Sequence, residues 1–298
     1  MTTTEVRPLR LEPGRERTHA SPRRRRGWPT RQWLVYSALI VAGAATMLPF
    51  VWMVLSSFKT QGEILRNPTG FLPSDPTWDN YATWFGELNI QGFFVNSLLV
   101  AVVTVLGNLA FCSMVGYALA KMDFPGKRVL FGLVMVTLMT PGVVTFVPLF
   151  VLVSKIGLVN TYPALFLPFL TTPLGVFLMR QFMQGIPDSL IEAARIDGAG
   201  ELRTFARIVL PLCGPPLATL GILTFLGSWN NFLWPLVAAQ SEDKYTLPVA
   251  LSLFSTGQDA TDYGLLLAGS VLVITPIVLL FVSLQRFFIQ SVASAGVK

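Results

Sequence analysis

The chain predicts an all-α, polytopic membrane protein with six transmembrane helices, and three observations lead there. Hydrophobic residues make up 52% of the 298 positions. Charged residues make up only 13%, about half the share of an ordinary soluble domain. The charges are also segregated: residues 32–58, 88–120, 129–154, 156–179, 208–241 and 263–285 carry none. Each stretch exceeds the roughly 20 apolar residues a helix needs to cross a ~30 Å hydrocarbon core. A soluble enzyme, a disordered chain and a secreted disulfide scaffold are excluded.

Residues 1–31 form a polar, Pro-containing tail with nine arginines, including the run at 23–26. Such a tail is expected to be disordered up to the membrane. Arginine runs commonly flank a first span, so no nucleic-acid partner is expected from this one. Ala42-Gly43-Ala44 resembles a signal-cleavage site, but the apolar run continues to Phe58. That is longer than the 7–15 residues typical of a signal peptide, so retention of the span is expected. The first loop, 59–87, holds Pro68, Pro73 and Pro76, then Trp78, Tyr81 and Phe85 at i, i+3, i+7. That spacing predicts a short helix with an aromatic face at the interface. Pro125-Gly126 marks the second loop as a short turn, and residues 155–160 form a tight third one. The fifth loop, 242–262, is acidic, with Glu242, Asp243, Asp259 and Asp262 against Lys244. The six-span domain is expected to cover 32–290 and a C-terminal tail 291–298.

Orientation follows from Lys and Arg. Alternate segments starting with the tail hold nine, three, four and two of them; the opposite set holds two, one and one. The positive-inside rule then places both termini in the cytoplasm, and the net charge of +6 is accounted for.

Within the spans no Asp, Glu, Lys, Arg or His occurs. Proton-coupled carriers and voltage sensors usually leave such residues in the membrane, so both are disfavoured. The lone histidine, His19, lies in the tail. This excludes His-dependent nucleophilic catalysis within the membrane. Cys112 and Cys213 sit in apolar stretches and are expected to be buried, with no disulfide framework and no metal site. No catalytic residue is expected. Prolines interrupt the third to sixth spans: Pro141, Pro148, Pro163, Pro168, Pro173, Pro215, Pro216, Pro235 and Pro276. Each frees a carbonyl that a neighbouring helix or a wet cavity must satisfy. The kinks could splay helices around a pathway or be merely tolerated. Neutral polar groups remain as candidate pathway contacts: Asn96, Thr104 and Asn108 in the second span, Thr137, Thr140 and Thr145 in the third, and Trp229, Asn230, Asn231 and Trp234 in the fifth. Amides both donate to and accept from hydroxyls, and with aromatic faces they suit a neutral polyol or sugar. The competing reading is helix-to-helix bonding by Asn and interfacial anchoring by Trp.

The segment 180–207 is the most informative. Eight charges fall between two apolar spans: Arg180, Asp188, Glu192, Arg195, Asp197, Glu201, Arg203 and Arg207. Ser189 and Glu192 match a capping box, which predicts a helix over about 190–197. Gly198 and Gly200 supply its end, and a second helix starts near Glu201 and runs to Leu210-Pro211. Ala193 and Ala194 permit close approach of a partner surface.

Glu192-Ala193-Ala194-Arg195-Ile196-Asp197-Gly198, with Ile208-Val209-Leu210-Pro211 nine residues further on, resembles the EAA motif of bacterial ABC-importer membrane subunits. Met179-Arg180-Gln181-Phe182, the stretch Gly227-Ser228-Trp229-Asn230-Asn231-Phe232-Leu233-Trp234-Pro235-Leu236, Tyr245-Thr246-Leu247-Pro248 and Gln285-Arg286-Phe287-Phe288 extend the resemblance to the maltose-type carbohydrate permeases, from about residue 30 to the end. Where that family often has Asp after Trp-Asn, this chain has Asn231. The resemblance implies a type I ABC-importer transmembrane domain in the bacterial inner membrane. Its implied partners are a second permease subunit, two copies of a cytoplasmic ABC ATPase and an external solute-binding protein. It implies a loop at 180–211 whose Glu192, Ala193, Ala194, Arg195, Asp197, Gly198, Leu210 and Pro211 couple to the ATPase. The chain has no phosphate-binding G-x-x-x-x-G-K-[ST] loop, since Gly126-Lys127-Arg128 lacks both the upstream glycine and the hydroxyl. ATP and Mg are therefore expected on the partner, with no cofactor in this chain. For Glu192, helix capping is the alternative role. A sugar is the implied solute; a glycerol-phosphate diester permease, and more remotely a secondary carrier or channel, are the alternatives.

Overall fold

The computed structural model describes residues 30–256 and 261–295, with side chains for 32–256 and 261–283. The tail expected at 1–31 lies almost wholly outside the described residues. The chain divides into two compact units, residues 1–49 and 50–298.

The first unit contributes most of helix α1 (Thr30–Ser56), which contains Pro49. In it Thr46 donates to the carbonyls of Ala42 and Gly43 at 2.8 and 2.9 Å, a side chain turned back on its own helix where no water competes.

Among the described residues of the second unit the regular elements are all helical, apart from one isolated bridge between Thr256 and Thr261. After α2 (Gln61–Arg66) and α3 (Asp79–Ala82) come α4 (Ile90–Gly107) and α5 (Ser113–Lys121), joined by a π turn over Asn108–Cys112. Then follow α6 (Lys127–Met139), α7 (Gly142–Lys155), α8 (Tyr162–Phe166), α9 (Pro173–Gln184), α10 (Asp188–Ile196), α11 (Glu201–Thr204), α12 (Leu210–Leu212), α13 (Gly214–Trp229), α14 (Leu233–Ala238), α15 (Leu247–Ser255) and α16 (Tyr263–Ala295). α16 runs past residue 290, the limit expected for the membrane domain. Among the described residues four helical stretches are long and apolar enough to cross a membrane alone, and up to six if each of two bent pairs is one span. The bends are 105° between α6 and α7 and 82° between α12 and α13. Pro141, at the first bend, has no N–H with which to continue the ladder.

Three buried clusters hold the unit together. One gathers Tyr117, Val176, Met179, Met183, Ile191 and Val209 around α5, α9 and α10. A second joins Trp84, Phe93, Trp229, Leu247 and Leu265. A third joins Val100, Val153, Leu165, Trp234 and Ala238. α5 and α9 approach so closely that a Cβ on Gly116 would stand 2.8 Å from the Met179 Cβ and 3.0 Å from the Arg180 nitrogen.

The aromatic face expected in the first loop is only partly exposed. Trp78 and Phe85 are exposed, but Tyr81 exchanges a 2.7 Å hydrogen bond with Ser57. The fully buried aromatic is Trp84, whose Nε1 donates to the Leu265 carbonyl at 2.9 Å. Outward and inward positions interchange here because α3 passes into a π turn over Thr83–Glu87. The tight turn at 155–160 is present, with positive φ at Gly157 and Asn160. Asn160 Oδ1 accepts from the Gln240 and Ser241 amides, fastening that turn to the acidic loop. Both cysteines are buried, as expected.

Candidate coupling and transport site

Helix α10 (Asp188–Ile196) starts two residues earlier than the capping-box pattern predicts. Pro187 occupies the N-cap position and no side chain caps the helix, so Ser189 and Glu192 lie inside it and form no capping box. Proline's fixed φ and the preorganised first turn displace the Ser189 cap. At the other end the glycine expectation holds. Gly198 has φ +78°, its N–H donates to the Arg195 carbonyl, and the Ala199 N–H donates to the Ala194 carbonyl. This reciprocal pair is a Schellman closure.

The two faces of α10 differ. Ile191 and Ala194 are buried against the core. Glu192, Ala193, Arg195, Ile196 and Asp197 are exposed, with Ile196 at 86% and the nearby Leu202 at 71%. Ile196 and Leu202 are thus large apolar side chains left exposed among charged neighbours.

Both ends of α10 are anchored to α5. The Lys121 side chain is only 4% exposed; its Nζ donates to the Asp188 carboxylate at 2.6 Å and to the Ile186 carbonyl at 2.5 Å. The hydrogen bond from Lys121 holds the Asp188 carboxyl below the usual carboxylate range. At the far end Arg195 donates through Nε and a terminal nitrogen to Glu201 Oε1 at 3.0 and 2.8 Å. This carboxylate raises the guanidinium pKa further. The buried Tyr117 hydroxyl donates to the other oxygen of Glu201 at 2.8 Å. Tyr117, Lys121 and Glu201 were not singled out from the sequence. Tyr117 and Lys121 are four apart on a helix, but nothing linear reveals their partners. Leu210 and Pro211 form α12, which continues the π turn Phe205–Val209 into the bend before α13.

The polar residues of the spans divide into two groups. Asn96 is buried; its amide donates to the Asp243 and Tyr245 carbonyls and accepts from the Tyr162 hydroxyl. Asn108, fully buried, donates to the Phe169 carbonyl at 2.6 Å and accepts from the Thr172 hydroxyl at 2.7 Å. Phe169 ends a one-turn helix, and the extended Thr172 breaks the chain before α9, so no helical N–H reaches its carbonyl and Asn108 supplies the donor. Pro168 has no N–H to offer the Ala164 carbonyl, and Trp234 Nε1 donates to it at 2.9 Å. Trp229 donates to the Val273 carbonyl at 3.1 Å in the turn before Pro276. Asn230 is exposed and turned back onto the Leu226 carbonyl. Thr137, Thr140 and Thr145 likewise bond within their own helices.

Asn231 stands apart from these. It lines a cavity of about 340 Å³ between α4, α9 and α13, together with Thr104, Phe169, Thr224 and Ser228. None of the lining residues is ionisable. Thr104 is 3% exposed, and its hydroxyl finds no partner among the described residues. A space of this size, mostly apolar with a few convergent neutral hydroxyls and an amide, has the character of a small-molecule site.

A bundle of broken apolar spans around such a cavity, with a short amphipathic helix displayed beyond its end, defines a membrane-embedded permease. Residues 112–294 match the family described as binding-protein-dependent transport system inner membrane component, and the chain belongs to that family. It is similar to an arabinooligosaccharide transport system permease protein, AraQ, of Halalkalibacterium halodurans, with 43% identity over 92% of this chain and 99% of that one. It is also similar to the diacetylchitobiose uptake system permease protein NgcG of Streptomyces coelicolor, with 34% identity over 87% of this chain and 86% of that one. A crystal structure of a bacterial ABC transporter for alginate import superposes with a TM-score of 0.77 at 22% identity, covering 88% of this chain and 98% of that one. That likeness establishes the type I permease fold. The chain is a transport component of the inner membrane.

Proposed function

We propose that this chain is one of two permease subunits of an ATP-driven importer for a sugar, with both termini in the cytoplasm. A second permease chain completes the pathway, two copies of an ABC ATPase bind ATP and Mg, and an external binding protein delivers the solute. The outward face of α10 carries this reading. Glu192, Ala193, Ile196 and Asp197 are presented beyond the bundle, while Ile191 and Ala194 hold the helix in place from behind. A rigidly backed helix with small, apolar and acidic groups outward fits a groove in a partner.

The saccharide reading rests on the cavity chemistry and on the saccharides named for the relatives. Neutral hydroxyls and an amide can exchange hydrogen bonds with sugar hydroxyls without holding a charge. Asn231, Thr104 and Ser228 are the contacts proposed. The other sequence candidates, Asn96, Asn108, Trp229 and Trp234, are spent on carbonyls within the chain, so their proposed part in the pathway is to shape its wall.

The test is charge reversal at Glu192. With no capping bond to lose, Glu192→Gln removes charge alone and Glu192→Lys inverts it. Removing one partner of a buried charge pair at an interface costs about 2–5 kcal/mol, much of it from the charge left unpaired. Glu192→Lys should release the ATPase during co-purification, and Glu192→Gln should weaken its retention. Full retention and coupled hydrolysis with Glu192→Lys would refute docking through this residue. Uptake of labelled arabinotriose by the assembled complex tests the saccharide reading separately.

A further inference from the structure

The anchoring of α10 to α5 points beyond docking to a route of transmission. Tyr117 and Lys121 are one turn apart on α5 and therefore lie on one helical face. Lys121 holds the start of α10 through Asp188 and the Ile186 carbonyl. Tyr117 holds its end through Glu201, which in turn holds Arg195. One turn of one helix thus grips the displayed helix at both ends. Both gripping groups are almost fully buried, with Tyr117 and the Lys121 side chain each 4% exposed. The Tyr117 ring also packs against Phe205 at 5.3 Å, so the grip extends to the helix leading into the α12–α13 bend.

α5 continues directly into the π turn that carries Asn108. Asn108 bonds the Phe169 carbonyl and Thr172, and both of those residues line the cavity. Thr104, one turn back, lines it too. Polar contacts at each end of α5, joined by its own helical backbone, therefore connect α10 to the cavity wall. The alternative route is the covalent one, through Gly185 to Pro187 into α9.

We propose that α5 is the lever that carries displacement of α10 to the cavity, with Tyr117, Lys121 and Glu201 as its positioning residues. The proposal rests on the ATPase docking at α10. A nitroxide on Leu223→Cys, in the assembled complex with its ATPase, reports the cavity wall by its EPR spectrum. Trapping with ATP, Mg and vanadate should change that spectrum in the parent. In Tyr117→Phe/Lys121→Met, which keeps the tyrosine ring and the lysine stem, the change should fall severalfold. The ATPase should still co-purify. A spectral change equal to the parent's would overturn the lever and leave the covalent route. Should the double variant fail to assemble, Glu201→Arg decides: it breaks both the Tyr117 and the Arg195 contact and should lose the response. A full response in Glu201→Arg would also overturn the proposal. Release of the ATPase by Glu192→Lys separates this failure from a failure of the docking reading.

Discussion

Gly198 ends α10 with φ +78°, and a side chain built there meets nothing within 4 Å. The penalty for replacing it is therefore backbone strain alone, without steric collision. For an ordinary L residue the left-handed region costs about 1–2 kcal/mol, a factor of about 5–30 in the population that keeps the closure. Gly198→Val should pay this penalty, and unwinding the end would move Arg195 away from Glu201. Gly198→Asn should be much milder, because Asn enters this region readily. The assay is solute uptake by the assembled importer, with ATPase co-purification and membrane insertion measured in parallel. Gly198→Val should lose most uptake while remaining inserted, and Gly198→Asn should keep most of it. Normal transport by Gly198→Val would refute the argument. Equal failure of Val and Asn would show that solvent-side space at Gly198, not its φ, is what matters.

Asn231→Ala should lower uptake with the ATPase still bound, whereas Asn230→Ala should have little effect because its amide is spent on Leu226; equal uptake by both variants would remove Asn231 from the pathway. Asn108→Leu strands the Phe169 carbonyl and should destabilise the purified chain by about 1–3 kcal/mol, read as a lower thermal midpoint in detergent. Lys121 bonds the ionised form of Asp188, so the folded pKa lies below the unfolded one. That contribution is complete above the ordinary value of about 3.9 and is lost as pH falls through the folded pKa. Asp188→Asn should therefore flatten the acid limb of the stability profile and leave its neutral-to-alkaline slope unchanged.

The spans were legible because charge segregation over more than 20 residues reports the solvent directly. The EAA loop was legible because a glycine and an acidic helix at fixed spacing leave a local trace. The capping box was misread because Ser189 and Pro187 both fit a helix start, and only the backbone decides between them. Bends of 105° and 82° could be suspected from proline but not sized. The buried amides were ambiguous for a clearer reason. Asn108 and Asn231 are the same residue type in equally apolar stretches, and what separates them is whether an open carbonyl at a helix break lies within reach. Contacts such as Tyr117 to Glu201, 84 residues apart, have no linear signature.

The supply of donors to the open carbonyls has a consequence for how the chain is made. The donor for Phe169 is Asn108, 61 residues earlier in the order of synthesis. The donor for Ala164 is Trp234, 70 residues later. A chain truncated before Trp234 would therefore keep the first of these pairs and lose the second, leaving the Ala164 carbonyl without its donor.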